Sequence, residues 1–272
     1  MRTWPERLVL LGHPIGHSLS PVFQNAALAA AGIQLRYEAL DVPWSAVDQT
    51  LDELRRQRAA GNVTIPYKDA VHHACDRLTE PARTIGAVNT FWTAVDGALV
   101  GDNTDVDGFR AAVKALVGEP GPGAVVALLG AGGAASAVLH AIEGWPSARV
   151  QVYSRTRERA EQLVKRFKVP AQVVSSAEAA VGGSTFIVNA TPIGLRDEAV
   201  PVAIEALPDR SAVLDLAYRT GETALVRGAK ARGLRAMDGL VMLVEQGALA
   251  FERWFGTSPD RTAMWNAIGV RR

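Results

Sequence analysis

The chain has 272 residues, 48% hydrophobic and 21% charged, a globular balance that suits one large or two ordinary domains, and the lack of repeats and low-complexity tracts argues against a solenoid or a disordered tail. Its 29 basic and 28 acidic residues leave a net charge of +1, so no broad field draws nucleic acid or an anionic membrane, and any anion must be held by a few local groups. The single cysteine, Cys75, excludes an internal disulfide, and the apolar run in MRTWPERLVLLG is too short for a signal peptide, so a reducing cytoplasm is the expected compartment.

Taken in order, residues 7–12, RLVLLG, are an apolar run closed by glycine and predict a buried strand. Proline and glycine break the following HPIGHSLSP. Ser20 and Pro21 then form an N-cap and first-turn pair for an alanine-rich helix that runs to Ala31 and stops at Gly32. On that reading Ser20 is a cap and Ser18 a turn hydroxyl, with ligand contact as the competing role for both. His13 and His17 have Pro14 and Gly16 between them, do not share a helix face, and predict no metal pair.

RYEALDV, from Arg36, predicts a second strand, and an amphipathic helix is expected over 43–58. In GNVTIPYKDA, residues 62–65 read as a short strand broken by Pro66. Lys68 then falls at the start of a helix, where the dipole disfavours a cation. A local rule broken in this way points to function, against the plainer reading of a solvated lysine. His72, His73, Cys75 and Asp76 include an HxxC without a second ligand pair and read as helix surface and core; no metal is expected.

Residues 86–92, GAVNTFW, predict a further strand. LVGDNTDVDGF then crowds Asp102, Asn103, Thr104, Asp105 and Asp107 ahead of a helix expected over 108–116. These groups can cap that helix or accept a partner cation, for which Lys68 is the candidate. A calcium loop is set aside because the downstream glutamate of an EF-hand is missing from its place. EPGPG punctuates the entry to a second domain.

Residues 125–142, VVALLGAGGAASAVLHAI, read strand, turn, helix. Gly130, Gly132 and Ala135 fit the G-x-G-x-x-G/A spacing, which lets the backbone turn sharply and aim helix N–H groups at a pyrophosphate; Gly130, Ala131, Gly132, Gly133 and Ala134 are the candidate contacts. The run is apolar enough to suggest a membrane helix, but its mid-run glycines and missing basic flanks argue against one. A strand at RVQVY follows, and the position just past it decides the cofactor. A carboxylate there binds the ribose 2′-hydroxyl of NAD and would repel a 2′-phosphate. Here the sequence is SRTRER. Ser154 replaces the carboxylate, Arg155 and Thr156 can donate to phosphate, and Arg159, four positions past Arg155, is expected on the same helix face; the pattern points to NADP.

AQVV, FIVNATPIG, AVLDLAY and LRAMDG then alternate with helical stretches and predict a parallel sheet with right-handed crossovers. Ligands collect at the C-terminal ends of such strands, which singles out Asn189, Thr191 and Tyr218. Two helical stretches, LVMLVEQGALAFERWF and PDRTAMWNAIG, close the chain. Gln246, inside the first, reads as a satisfied core amide or a ligand contact.

In this order GHPIGHSLSP, GNVTIPYK, GAVNT, GDNTDVDG, GAGGAASA, SRT, NATPIG and MLVEQGALAFERWFG resemble the shikimate dehydrogenase family over nearly the whole chain. The resemblance implies two α/β domains, the second a Rossmann-type doubly wound parallel sheet, with an active-site crevice between them. Residues 1–107 and 239–272 are then the substrate-binding catalytic domain and 108–238 the NADP-binding domain. The implied reaction is reversible hydride transfer between 3-dehydroshikimate with NADPH and shikimate with NADP.

Carried over to matching positions, the resemblance implies that Ser18 and Ser20 hold the substrate carboxylate. Thr64, Asn89 and Gln246 join Lys68 and Asp105 around the ring hydroxyls, Tyr218 is a further substrate contact, and Gly239 is a cofactor contact. One acid/base group suffices beside a hydride donor, and Lys68 is that group, oriented by Asp105. Lysine is ordinarily protonated near neutrality, so an electrostatic clamp on a developing alkoxide is the other role open to it. Two positions depart from the family pattern: Thr220 stands where a proline is expected, and Val241 where a glycine is expected before the final motif. The serine pair favours shikimate over quinate. A quinate/shikimate dehydrogenase with relaxed cofactor use and a non-catalytic NADP-binding regulator are the alternatives. The expected partners are a small-molecule substrate and NADP, with no nucleic acid and no membrane, in a monomer or homodimer.

Overall fold

The computed structural model describes residues 4–16 and 18–270, so His17 lies outside the described residues. The chain forms two compact units, Met1–Asp105 with Leu243–Arg272, and Val106–Met242.

The first unit contains β1 (Arg7–Gly12), α1 (Ser20–Ala30), β2 (Tyr37–Asp41), α2 (Val47–Arg56), β3 (Ala59–Val63), α3 (Lys68–Ala74), β4 (Arg77–Leu78), α4 (Glu80–Ile85), β5 (Thr90–Thr93) and β6 (Leu99–Asp102). Helix α5 (Asp105–Val117) starts on its last residue before the chain leaves. Its sheet has the order β2-β1-β3-β5-β6-β4 and is mixed: β1 runs parallel to β2 and β3, whereas β5 runs antiparallel to β3 and β6. Leu8 to Leu11 on β1 are at most 2% exposed, so both faces of this strand are covered. Four such side chains contribute about 6–12 kcal/mol of gross burial energy, enough to make β1 the spine of the unit. Helix α2 buries Val47, Leu51 and Leu54, one stripe at helical spacing, against the core that also holds Tyr67 and Phe91.

Three expected boundaries move, each for a local reason. Strand β3 begins at Ala59 rather than 62, because Ala59, Ala60 and Gly61 pair with β1. A Cβ on Gly61 would lie 2.2 Å from the Val9 carbonyl oxygen, so the close approach needs the small residues that weaken the strand signal. The expected strand over 86–92 is confined to β5, because the Val88 and Asn89 N–H groups donate to Lys68 and Asp102 carbonyls. Helix α5 starts at Asp105 rather than 108, its first N–H donating to the Asn103 side chain at 3.0 Å. Ser20, moreover, is not a helix cap: it is the first residue of α1, and its N–H donates to the Ser18 hydroxyl at 3.2 Å.

The second unit contains β7 (Val125–Leu129), α6 (Gly133–Ile142), β8 (Arg149–Tyr153), α7 (Arg157–Val164), β9 (Ala171–Val173), α8 (Ala177–Val181), β10 (Phe186–Asn189), β11 (Ala212–Asp215), α9 (Ala224–Ala231) and β12 (Arg235–Met237). All six strands are parallel, in the order β9-β8-β7-β10-β11-β12. Numbered within the unit this is 3-2-1-4-5-6, the doubly wound dinucleotide-binding order, with its reversal between β7 and β10. No helix among the described residues is long and apolar enough to cross a membrane. Finally α10 (Leu240–Phe255) and α11 (Arg261–Ala267) return to the first unit, where α11 packs on α1.

Candidate active site

The register of the first sheet sets Asn62, Thr90 and Asp102 in one row. The segments that leave β3 and β6, and the one that enters β5, therefore share one end of the sheet. There Lys68 Nζ lies 2.5 Å from Asp105 Oδ2, with the lysine side chain 18% exposed and the carboxylate 5%. The other carboxylate oxygen accepts from Asn89 Nδ2 at 2.8 Å. Asn89 also donates to Gln246 Oε1 at 3.1 Å and to Thr104 Oγ1 at 3.0 Å, while its own oxygen accepts from Thr104 N at 2.8 Å. Thr104 Oγ1 donates to the Gln246 carbonyl at 3.0 Å, and Gln246 Nε2 to the Leu243 carbonyl at 2.7 Å.

Lys68, Asn89, Asp105 and Gln246 thus form one hydrogen-bonded cluster. Lys68 takes Asp105 as partner, while Asn103 supplies the capping group, so the two readings of the crowded acidic segment both apply, to different residues. A cation at the start of α3 is compensated by a buried carboxylate, which answers the conflict with the helix dipole. Thr64 stands one turn before Lys68 and accepts Tyr67 N–H at its carbonyl. Ser18 and Ser20 bond to each other, the Ser20 N–H donating to the Ser18 hydroxyl. One helical turn past Ser20, Gln24 donates to the Gly247 carbonyl at 2.9 Å, beside Gln246.

Asp102 is a member that sequence reasoning left as one of a crowd. Its carboxylate, 1% exposed, accepts from Arg253 Nε at 2.7 Å, from Asn103 N at 2.8 Å and from the Thr79 hydroxyl. Arg253 lies two turns after Gln246 on α10, so this pair ties the helix to the strand end that carries Asp105. A single buried Asp beside an Arg 151 positions away leaves no signal in one sequence.

Cys75 is inert by contrast. Burial, with Asp76 nearby, pushes its thiol up to about 12, which keeps it protonated and unreactive. His13 is exposed and its Nδ1 meets Asp41 Oδ1 at 2.5 Å.

In the second unit the register aligns Leu129, Tyr153, Asn189 and Asp215, so Gly130, Ser154, Ala190 and Leu216 leave the sheet at one edge. Gly130 has φ +114°, and a Cβ there would stand 2.9 Å from the Ala190 carbonyl oxygen; only glycine suits both. Gly132 caps α6 with no side chain, leaving the first-turn N–H groups at Gly133 and Ala134 clear for an anion, and a Cβ at Gly132 would meet nothing within 4 Å. Past β8, Thr156 N donates to the Ser154 hydroxyl at 3.3 Å, and Arg155, Thr156 and Arg159 are exposed. The helix starts only at Arg157, so Arg155 and Arg159 do not share a helix face as expected; Arg155 lies in the turn before it. Open backbone donors at a helix start with arginines at the neighbouring strand end fit a dinucleotide carrying a 2′-phosphate.

Asn189 has no exposed surface. Its Oδ1 accepts from Thr191 N at 3.0 Å and Thr191 Oγ1 at 2.6 Å, and its Nδ2 donates to the Ile193 carbonyl and to Asp215 Oδ1. Its side chain shapes the turn that presents Thr191. Tyr218 lies three residues past β11 and is half-buried. Gly239 donates its N–H to the Ala217 carbonyl at 3.1 Å, and a Cβ there would lie 2.3 Å from the Leu216 carbonyl oxygen.

Comparison with known proteins agrees with both units. The profile of the shikimate dehydrogenase substrate binding domain matches residues 10–91, and that of the shikimate 5′-dehydrogenase C-terminal domain matches residues 239–268. The shikimate dehydrogenase (NADP(+)) of Thermus thermophilus is 42% identical over 96% of this chain and 97% of its own length. That of Rubrobacter xylanophilus is also 42% identical, over 95% of this chain and 94% of its own. The crystal structure of the Aquifex aeolicus shikimate dehydrogenase superposes with a TM-score of 0.90 at 33% identity, covering 97% of each chain. The Thermus thermophilus enzyme in complex with NADP(H) and shikimate gives 0.85 at 42% identity, covering 96% of this chain and 97% of that one.

Proposed function

This chain belongs to the shikimate dehydrogenase family, and we propose that Lys68, held by Asp105, carries the proton side of its reaction. The chain is an NADP-dependent oxidoreductase that interconverts 3-dehydroshikimate and shikimate, a step of aromatic amino-acid biosynthesis. The observation that carries the residue assignment is the Lys68–Asp105 contact at 2.5 Å inside a largely buried polar cluster.

Held at the Gly130–Ala134 turn, NADPH would supply the hydride for the ring carbonyl carbon, and NADP would accept it in the reverse direction. The carbonyl oxygen then needs one proton. Lys68 has three donors, of which Asp105 takes one, so the ammonium can both steady the charge growing on the oxygen and deliver the proton. In the oxidation of shikimate the same nitrogen receives it. Asp105 keeps Nζ in place through one oxygen while Asn89 holds the other, so the lysine does not have to be ordered during reaction.

For the rest of the substrate, Ser18 and Ser20 are assigned to the carboxylate, and Thr64, Asn89 and Gln246 to the ring hydroxyls. Asn89 and Gln246 bond each other, which sets their two amides side by side. Tyr218 is assigned to the substrate and Gly239 to the cofactor. The turn from Gly130 to Ala134 would hold the pyrophosphate, Ser154, Arg155, Thr156 and Arg159 the 2′-phosphate, and Thr191 the nicotinamide half. A cytoplasmic location accords with the lone cysteine, Cys75.

The direct test follows the absorbance of reduced cofactor with shikimate or quinate, each offered with NADP or NAD. Shikimate with NADP is expected to give the dominant rate. Equal rates with quinate would contradict the serine assignment, and no rate in any combination would contradict the function.

A further inference from the structure

We propose that Asp215 is the positioning residue for the nicotinamide half of the cofactor site. The inference rests on the NADP reading of the second unit and adds a residue that touches no ligand.

Strand order supplies the first step. A dinucleotide laid across the reversal between β7 and β10 has its 2′-phosphate end over β8, where Arg155 stands, so its other half falls beyond the ends of β10 and β11. Asp215 is the last residue of β11 and has no exposed surface. Its Oδ1 accepts from Asn189 Nδ2 at 2.8 Å and from Ala217 N at 3.1 Å, and its Oδ2 accepts from Thr223 Oγ1 at 2.7 Å.

Each donor governs a different segment. Asn189 folds the turn that carries Thr191 and Ile193, and Ala190 in that turn closes against Gly130. Ala217 receives the N–H of Gly239 at its carbonyl, which fixes where the chain passes toward α10. Thr223 accepts Val226 N–H and so caps α9. Asp215 is thus the point from which the turns after β10, β11 and β12 take their places.

The chemistry requires a carboxylate here. All three donors are neutral, and only an acceptor with two oxygens receives all of them at once. An asparagine would turn an N–H₂ group toward Thr223 Oγ1, which would have to reverse its hydroxyl while still accepting Val226 N–H. Burial pushes this carboxyl up to about 6 despite the three hydrogen bonds, so the site keeps an acid that its surroundings disfavour as an anion.

The test compares two ligands by calorimetry on Asp215→Asn: NADPH, and adenosine 2′,5′-bisphosphate, which reaches only the β8 side. Affinity for NADPH is expected to fall about tenfold or more, the loss of one hydrogen bond to a charged group, while adenosine 2′,5′-bisphosphate changes less than about twofold. Should Asp215→Asn fail to fold, Thr223→Val is expected to show the same split and Thr223→Ser to restore wild-type NADPH affinity. Equal losses for both ligands, or no loss for either, would overturn the proposal. A wild-type protein that does not bind adenosine 2′,5′-bisphosphate would instead refute the NADP reading beneath it.

Discussion

Asn89 and Gln246 stand 157 positions apart in the chain, yet the amide nitrogen of the first donates to the amide oxygen of the second at 3.1 Å. One residue precedes β5, and the other lies on the helix that returns at the end of the chain. Their contact joins the two segments of the first unit into the cluster that holds Lys68 and Asp105.

Gln246→Met keeps the length and apolar stem of the side chain and removes both polar atoms. It is expected to raise the KM for shikimate roughly tenfold and leave the KM for NADP within about twofold, the loss of one or two neutral hydrogen bonds. Steady-state kinetics with each ligand varied in turn checks this. A rise confined to NADP would remove Gln246 from the substrate side.

Arg155 precedes α7 and is exposed. Arg155→Ala is expected to raise the KM for NADP about tenfold or more and to leave the KM for NAD almost unchanged, since only NADP carries the 2′-phosphate. Equal effects on both cofactors would show that the arginine acts elsewhere.

The Asp102–Arg253 pair gives a stability prediction. Arg253→Met leaves a carboxylate that is 1% exposed without its cation. Because the arginine is 48% exposed, the cost is set below that of a fully buried pair, at about 1–3 kcal/mol. Thermal unfolding should show Tm lower by several degrees, and adding Asp102→Asn should recover part of the loss. An unchanged Tm would mean that the pair does not anchor α10.

Asp215 sets a pH dependence. Its carboxyl is pushed from 3.8 up to about 6, mainly by burial, so the folded state favours the protonated form. The corresponding stabilisation is full below pH 3.8 and is lost as pH rises through about 6, on the order of 3 kcal/mol in all. Asp215→Asn, which does not titrate, should lack this component, so its stability relative to wild type should rise between pH 4 and pH 7. Parallel unfolding curves across that range would contradict the assignment.

The second unit was largely legible in the sequence because its signals are local. The apolar run, Gly130 and Gly132 lie within a few residues, and β7 and α6 form where the pattern places them. Lys68 was legible as a breach of the dipole rule, and its partner as a crowd of acids. Asp102 with Arg253, and Asp215 with Asn189 and Thr223, were not. Each network joins segments distant in sequence through buried carboxylates, and a single Asp at a strand end looks the same whether it faces solvent or three donors. Strand β3 was displaced for the opposite reason, its small residues being chosen for close packing rather than strand propensity.

The most direct measurement is the single-turnover rate and shikimate affinity of Lys68→Ala. With Nζ gone, turnover should fall about 10²- to 10⁴-fold while shikimate affinity changes far less, since the group acts on the proton in transfer rather than on the bound ring. Near-normal turnover in a folded Lys68→Ala protein would contradict the role of the Lys68–Asp105 pair.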